Sequence, residues 1–166
     1  MFTMIDAFAN WTATTRLSAF VNNYPWVWPA CETLHFIGLA MLIGTVGLLD
    51  LRLLGFFRGL PLAPLTRLLP WTLGAFALNL TTGLVFFAGN PLQYAHNLSF
   101  GFKLLFLGIA GANAFVFTVA CSRKAAFVGA GDQCSPLARL CAGVSLFSWF
   151  AVLYFGRMLP YIGHSF

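Results

Sequence analysis

The stretch WVWPACETLHFIGLAMLIGTVGLLDLRLL, Trp26 to Leu54, constrains this chain more than any other. Its middle is apolar over enough residues to cross a ~30 Å hydrocarbon layer as a helix. Yet the stretch carries Glu32 and His35 near one end and Asp50 and Arg52 near the other. An ionisable group at the bilayer centre costs at least ~2.5 kcal/mol, so these side chains are expected to face protein or ligand rather than lipid. A spacing of three puts Glu32 and His35 on one helix face. Any chemistry in the protein is expected there.

The rest of the chain repeats the theme. Its 166 residues fit one domain. They are 60% hydrophobic and 8% charged, with a mean hydropathy of +0.84. A soluble domain averages about 45–50% apolar and about 25% charged residues, so this is the composition of an integral membrane protein. The net charge of +5 comes from nine scattered Lys and Arg residues. None lies in a basic patch, so they are expected to set topology and meet head groups rather than bind nucleic acid. The cysteines, Cys31, Cys121, Cys134 and Cys141, form no C-x-x-C pair and are expected to be small apolar core residues rather than a disulfide framework.

The N-terminal segment lacks a basic n-region and a continuous apolar h-region, so it is not expected to be a signal peptide. Thr3 and Asp6 have the spacing of a capping box, with Asp in place of Glu or Gln. Phe2, Ile5, Phe8 and Trp11 recur at helical spacing opposite Asp6, Asn10 and Thr14. Residues 1–21 are therefore predicted to form an amphipathic interfacial helix. Pro25, Trp26, Trp28 and Pro29 mark the start of the first span, because proline suits a first helical turn and tryptophan the head-group layer.

Four spans are predicted, over about 26–49, 65–88, 100–121 and 137–159. Pro70, in the first turns of the second, predicts a kink or local break. Asn79, Thr81 and Thr82 inside it can hydrogen-bond across helices. Asn90-Pro91 ends it, and the following NPLQYAHNLSF is too polar to span. Gly108 and Gly111 in the third span predict a close helix contact. Ser135 and Pro136 have N-cap and N1 chemistry for the fourth. The predicted fold is thus an all-α bundle of four transmembrane helices preceded by the interfacial helix.

Basic residues orient it. Arg52, Arg58, Arg67, Arg123, Lys124 and Arg139 fall towards one side, whereas Arg16, Lys103 and Arg157 fall towards the other. The positive-inside rule then places both termini outside, in the periplasm of a Gram-negative cell. His35 falls in the outer half of its span, roughly 10–14 Å from its end by helical rise. His96 falls in an outer loop and His164 in the outer C-terminal tail.

With only four acids in the chain, a ferritin-like di-iron site is excluded, although Glu32-x-x-His35 is half of that pattern. A haem demands less: one or two axial ligands at membrane depth, a cleft lined by aromatic and small residues, and cations for its propionates. The chain offers His35 as axial ligand and Glu32 to accept the other ring N–H. Lys103 and Arg157 are candidates for the propionates, and His96, His164, Met158 or no residue for the second axial position. A copper or zinc site would use His35 with His96 or His164, and Cys31. The bland alternatives are a histidine hydrogen-bonded to Glu32, Asn79 or Asn113, surface histidines at 96 and 164, and lysine and arginine snorkelling to head groups. Asp50 and Arg52 point to different helix faces, so Asp50 is expected to bond a neighbouring loop or helix and serve structure. No G-x-S-x-G, P-loop, G-x-G-x-x-G or H-E-x-x-H is present, so no enzyme is indicated by motif.

The blocks HFIGLAMLIGTVGLLDLRLLG, LLPWTLGAFALNLTTGLVFFAGNPLQY, FKLLFLGIAGANAFVF and GRMLPYIG resemble a bacterial family of small four-span inner-membrane proteins known only as a domain of unknown function. The resemblance implies His35, Asp50, Arg52, Pro70, Lys103 and Arg157 as landmarks; His96 and His164 fall outside or at the margin of these blocks. The layout is also similar to membrane cytochrome b and copper-resistance D proteins, which hold haem or metal between helices. The leading expectation is a homo-oligomeric haem b protein of the inner membrane in electron transfer or redox sensing, its redox partner unidentified. The rivals are a cofactor-free transporter, a lipid-binding or structural subunit, and a copper or zinc binder.

Overall fold

The computed structural model describes residues 4–120 and 134–162. Every regular element among them is a helix: α1 (Met4–Ala13), α2 (Arg16–Asn23), α3 (Val27–Leu54), α4 (Leu62–Thr66), α5 (Leu69–Gly89), α6 (Pro91–Ala95), α7 (Leu98–Ala120) and α8 (Pro136–Arg157). Four segments are long and apolar enough to cross a membrane: α3, α4 with α5, α7, and α8. The protein is an all-α integral membrane protein with four spans.

Local chemistry sets the boundaries. The first span outruns its predicted end by five residues and stops only at Gly55, which takes the left-handed conformation (φ 103°) that glycine adopts without strain. Of the kink or local break predicted at Pro70, the structure shows the break. The chain breaks between α4 and α5, and Pro70 enters in the first turn of α5, where its missing N–H costs nothing. Ser135 caps α8 as its sequence suggests, its Oγ accepting the Ala138 N–H at 3.2 Å. The N-terminal segment is two helices rather than one, because Thr15 Oγ1 accepts the Ser18 N–H and starts α2 afresh.

α3 is the centre of the bundle, packed along α5 on one side and α8 on another, while α7 packs along α8. Inward-facing positions recur at alternating steps of three and four. On α7 they are Ser99, Lys103, Phe106, Ala110, Asn113 and Phe117. Gly108 and Gly111 lie off this seam: a Cβ at either would meet nothing within 4 Å, so the close contact predicted for them is not made within the chain. A close approach between α3 and α5 is instead made at Gly38 of α3. A Cβ there would come within 2.9 Å of Asn79 Nδ2 and 3.3 Å of the Ala75 carbonyl on α5.

The two ends of the bundle differ. At the end bearing α1, aromatic rings tie elements together: Phe8 of α1 stacks on Phe87 of α5 at 6.1 Å, and Phe87 on Phe100 of α7 at 6.0 Å. Asp6 meets His96 Nε2 at 2.7 Å and anchors α1 to the segment after α6. Asn97 donates to the Leu159 carbonyl at 2.9 Å, joining that segment to the chain after α8. Met4, Ile5, Phe8 and Trp11 remain exposed, an apolar face suited to the membrane interface. The opposite end holds the tight core of Leu53, Leu62, Ala138 and Ala142. Beside it Arg52 is fully buried, its Nε donating to the Leu60 carbonyl at 2.5 Å.

Candidate functional site

His35 lies on the α3 face that meets α5. Its Nδ1 is 2.7 Å from Thr82 Oγ1, and its ring packs edge-on to Phe86 at 5.5 Å between centroids. Thr82 has one hydroxyl proton, and the Leu78 carbonyl at 2.8 Å, the Asn79 carbonyl at 3.2 Å and His35 Nδ1 all lie within its reach. When the proton goes to Leu78, the oxygen accepts from the imidazole. In that arrangement a neutral ring carries its proton on Nδ1 and leaves the Nε2 lone pair uncommitted; in the reverse one Nδ1 accepts and Nε2 carries the proton. The hydrogen-bond partner of the ring is thus Thr82, rather than the Glu32, Asn79 or Asn113 offered by the sequence.

Glu32 is exposed, although it shares a helix face with His35. Its carboxylate acts on Tyr94 of α6. Burial first, and then this negative charge, pushes the Tyr94 hydroxyl up to about 12. Asn79 instead donates to the Ala75 carbonyl, and Asn113 to the Cys141 carbonyl of α8.

Lys103 of α7 stands close enough to His35 to act on it electrostatically. Its stem runs beside Gly156 of α8, whose Cβ position lies 3.8 Å from Cδ, Cε and Nζ. Among the described residues no carboxylate pairs with Lys103. Arg157, next to Gly156, is exposed at the end of α8. Lys103 and Arg157 are therefore brought to one end of the bundle with His35, as the sequence suggested. His96 is not brought in, since Asp6 occupies its Nε2 at the surface. His164 lies outside the described residues.

Asp50 bonds a neighbouring helix, as expected: Ser145 of α8 donates to its carboxylate. Its Oδ2 is buried without a hydrogen-bond partner among the described residues. Ser145 was not singled out by the sequence, although Ala138, Cys141, Ala142, Ser145, Ser148 and Val152 form a buried stripe of mostly small residues at helical spacing.

A zinc or copper site built from protein alone needs three or four donors. No group of three His, Cys, Asp or Glu residues is assembled among the described residues. A haem needs one or two axial nitrogens, a cleft and cations for its propionates; the described residues offer the His35 imidazole, the Phe86 ring and the Lys103 ammonium towards it. Compared with protein-family models, curated proteins and solved structures, the chain has no significant match.

Proposed function

We propose that this multi-pass protein binds haem b in the α1 half of its bundle, with His35 Nε2 as an axial ligand, and serves electron transfer or redox sensing. The observation that supports the reading is the Thr82–His35 hydrogen bond, which holds the imidazole of a membrane span by one ring nitrogen and leaves the other for a ligand. When bound, the haem supplies a one-electron couple. Thr82 would hold the ring plane and, accepting from Nδ1, would leave Nε2 free for the iron. Phe86 limits rotation of the ring from its edge. Lys103 offers a cation without a carboxylate partner to an acidic group of the ligand, and Arg157 a second one nearer the surface.

The six-to-three distribution of basic residues supports placing the α1 end outside a bacterial inner membrane. The site then faces the periplasm. The test is the absorption spectrum and iron content of the purified chain beside His35→Ala. A Soret band lost in the variant supports the proposal. A colourless wild-type protein, or a variant that keeps its haem, ends it in favour of a cofactor-free membrane subunit.

A further inference from the structure

On the face of the bundle formed by α7 and α8, away from His35, lies a groove of about 430 Å³. Phe106 and Ile109 of α7 line one wall; Leu140, Val144 and Phe147 of α8 line the other. Gly143 opens the floor, because a Cβ there would meet nothing within 4 Å. The Ser148 hydroxyl is turned inward to the Val144 carbonyl at 2.7 Å, so it lends the groove no polarity. Arg139 closes the end nearest the start of α8.

Arg139 is not explained by its helix. A cation in a first turn opposes the helix dipole, so it gains nothing there. It is exposed, and no carboxylate pairs with it among the described residues. It shares that end of the bundle with Arg52, since both act electrostatically on Cys134. The volume falls in the ~300–1,000 Å³ range of small-ligand sites. An apolar trough, open to the bilayer and ended by a guanidinium, matches an acyl chain joined to a phosphate.

We propose that this groove is a binding site for one anionic phospholipid, its acyl chain between Phe106, Ile109, Leu140 and Phe147 and its phosphate on Arg139. The guanidinium meets phosphate through paired N–H donors, which a zwitterionic head group shares less readily because its own ammonium competes. The site is independent of any haem.

The test uses the full chain reconstituted in phosphatidylcholine vesicles with trace spin-labelled phosphatidylglycerol or spin-labelled phosphatidylcholine. The motionally restricted fraction of each label is read by electron spin resonance. Wild type should favour phosphatidylglycerol about fivefold, the worth of one basic residue at an anionic surface. Arg139→Gln should abolish that preference. Arg58→Gln, an exposed arginine outside the groove, should leave it intact. Gly143→Leu, which fills the floor, should reduce the restricted fraction of both labels. Equal restriction of the two lipids by wild type would overturn the proposal. So would a preference that survives Arg139→Gln, or one lost equally in Arg58→Gln.

Discussion

Thr82 and His35, 47 positions apart, meet at 2.7 Å across the α3–α5 interface. That single bond sets the chemistry available at the imidazole. Thr82→Val keeps the shape and removes the hydroxyl, so the ring can rotate and change tautomer. Haem retention should fall about 10–100-fold, as when the supporting partner of a metal-bound histidine is lost. His35→Ala should abolish it. Haemin titration followed at the Soret band checks both.

Glu32 should behave differently. It touches Tyr94 electrostatically rather than His35, so Glu32→Gln should leave haem retention unchanged and lower the Tyr94 midpoint from about 12. The sign for stability follows from linkage. Tyr94 ionises near 10 when unfolded but near 12 when folded, so its contribution is complete below pH 10 and is lost as pH rises to 12. Alkaline titration of tyrosinate absorbance, with thermal melts across that window, tests the pair. A midpoint unmoved in Glu32→Gln would refute the assignment.

Gly38 should tolerate substitution less well than Gly108 or Gly111. Alanine there collides with Asn79 and the Ala75 carbonyl, and overpacking of this kind costs about 1–3 kcal/mol. Gly108→Ala and Gly111→Ala meet nothing within the chain. Melting in detergent should drop for the first and stay level for the other two.

Ser145→Ala removes the hydroxyl that donates to Asp50, leaving a carboxylate that already has one unpartnered oxygen. A buried acceptor stripped of its donor costs about 1–3 kcal/mol. Asp50→Asn removes the charge and should be milder. The order of the two melting temperatures is the readout, and the reverse order would disprove it.

A reporter fused at Gly129 should lie in the cytoplasm and one after Phe166 outside, from the distribution of basic residues. Protease accessibility of both fusions in spheroplasts decides the matter. Digestion of the Gly129 reporter from outside would invert the proposed orientation and move His35 to the cytoplasmic half.

The sequence alone determined the four spans, because lipid demands long apolar helices and punishes any polar backbone left unpaired. Asn90-Pro91, Ser135-Pro136 and Pro70 marked where helices must start or stop, since each acts on its own backbone. It also placed His35, Lys103 and Arg157 towards one end, because rise per residue converts position into depth. What it left open was rotation and register. Glu32, Asn79 and Asn113 were the partners it offered for the histidine, and adjacent helical residues such as Thr81 and Thr82 point about 100° apart. Only the approach of α3 to α5 at Gly38 selects Thr82 and leaves Thr81 bonded to Ala77 of its own helix. The same packing turned Glu32 outward to Tyr94 and left Gly108 and Gly111 without a neighbour. In lipid, helix faces are chosen by fit between side chains rather than by hydrophobic burial, and that fit exists only once the helices are side by side.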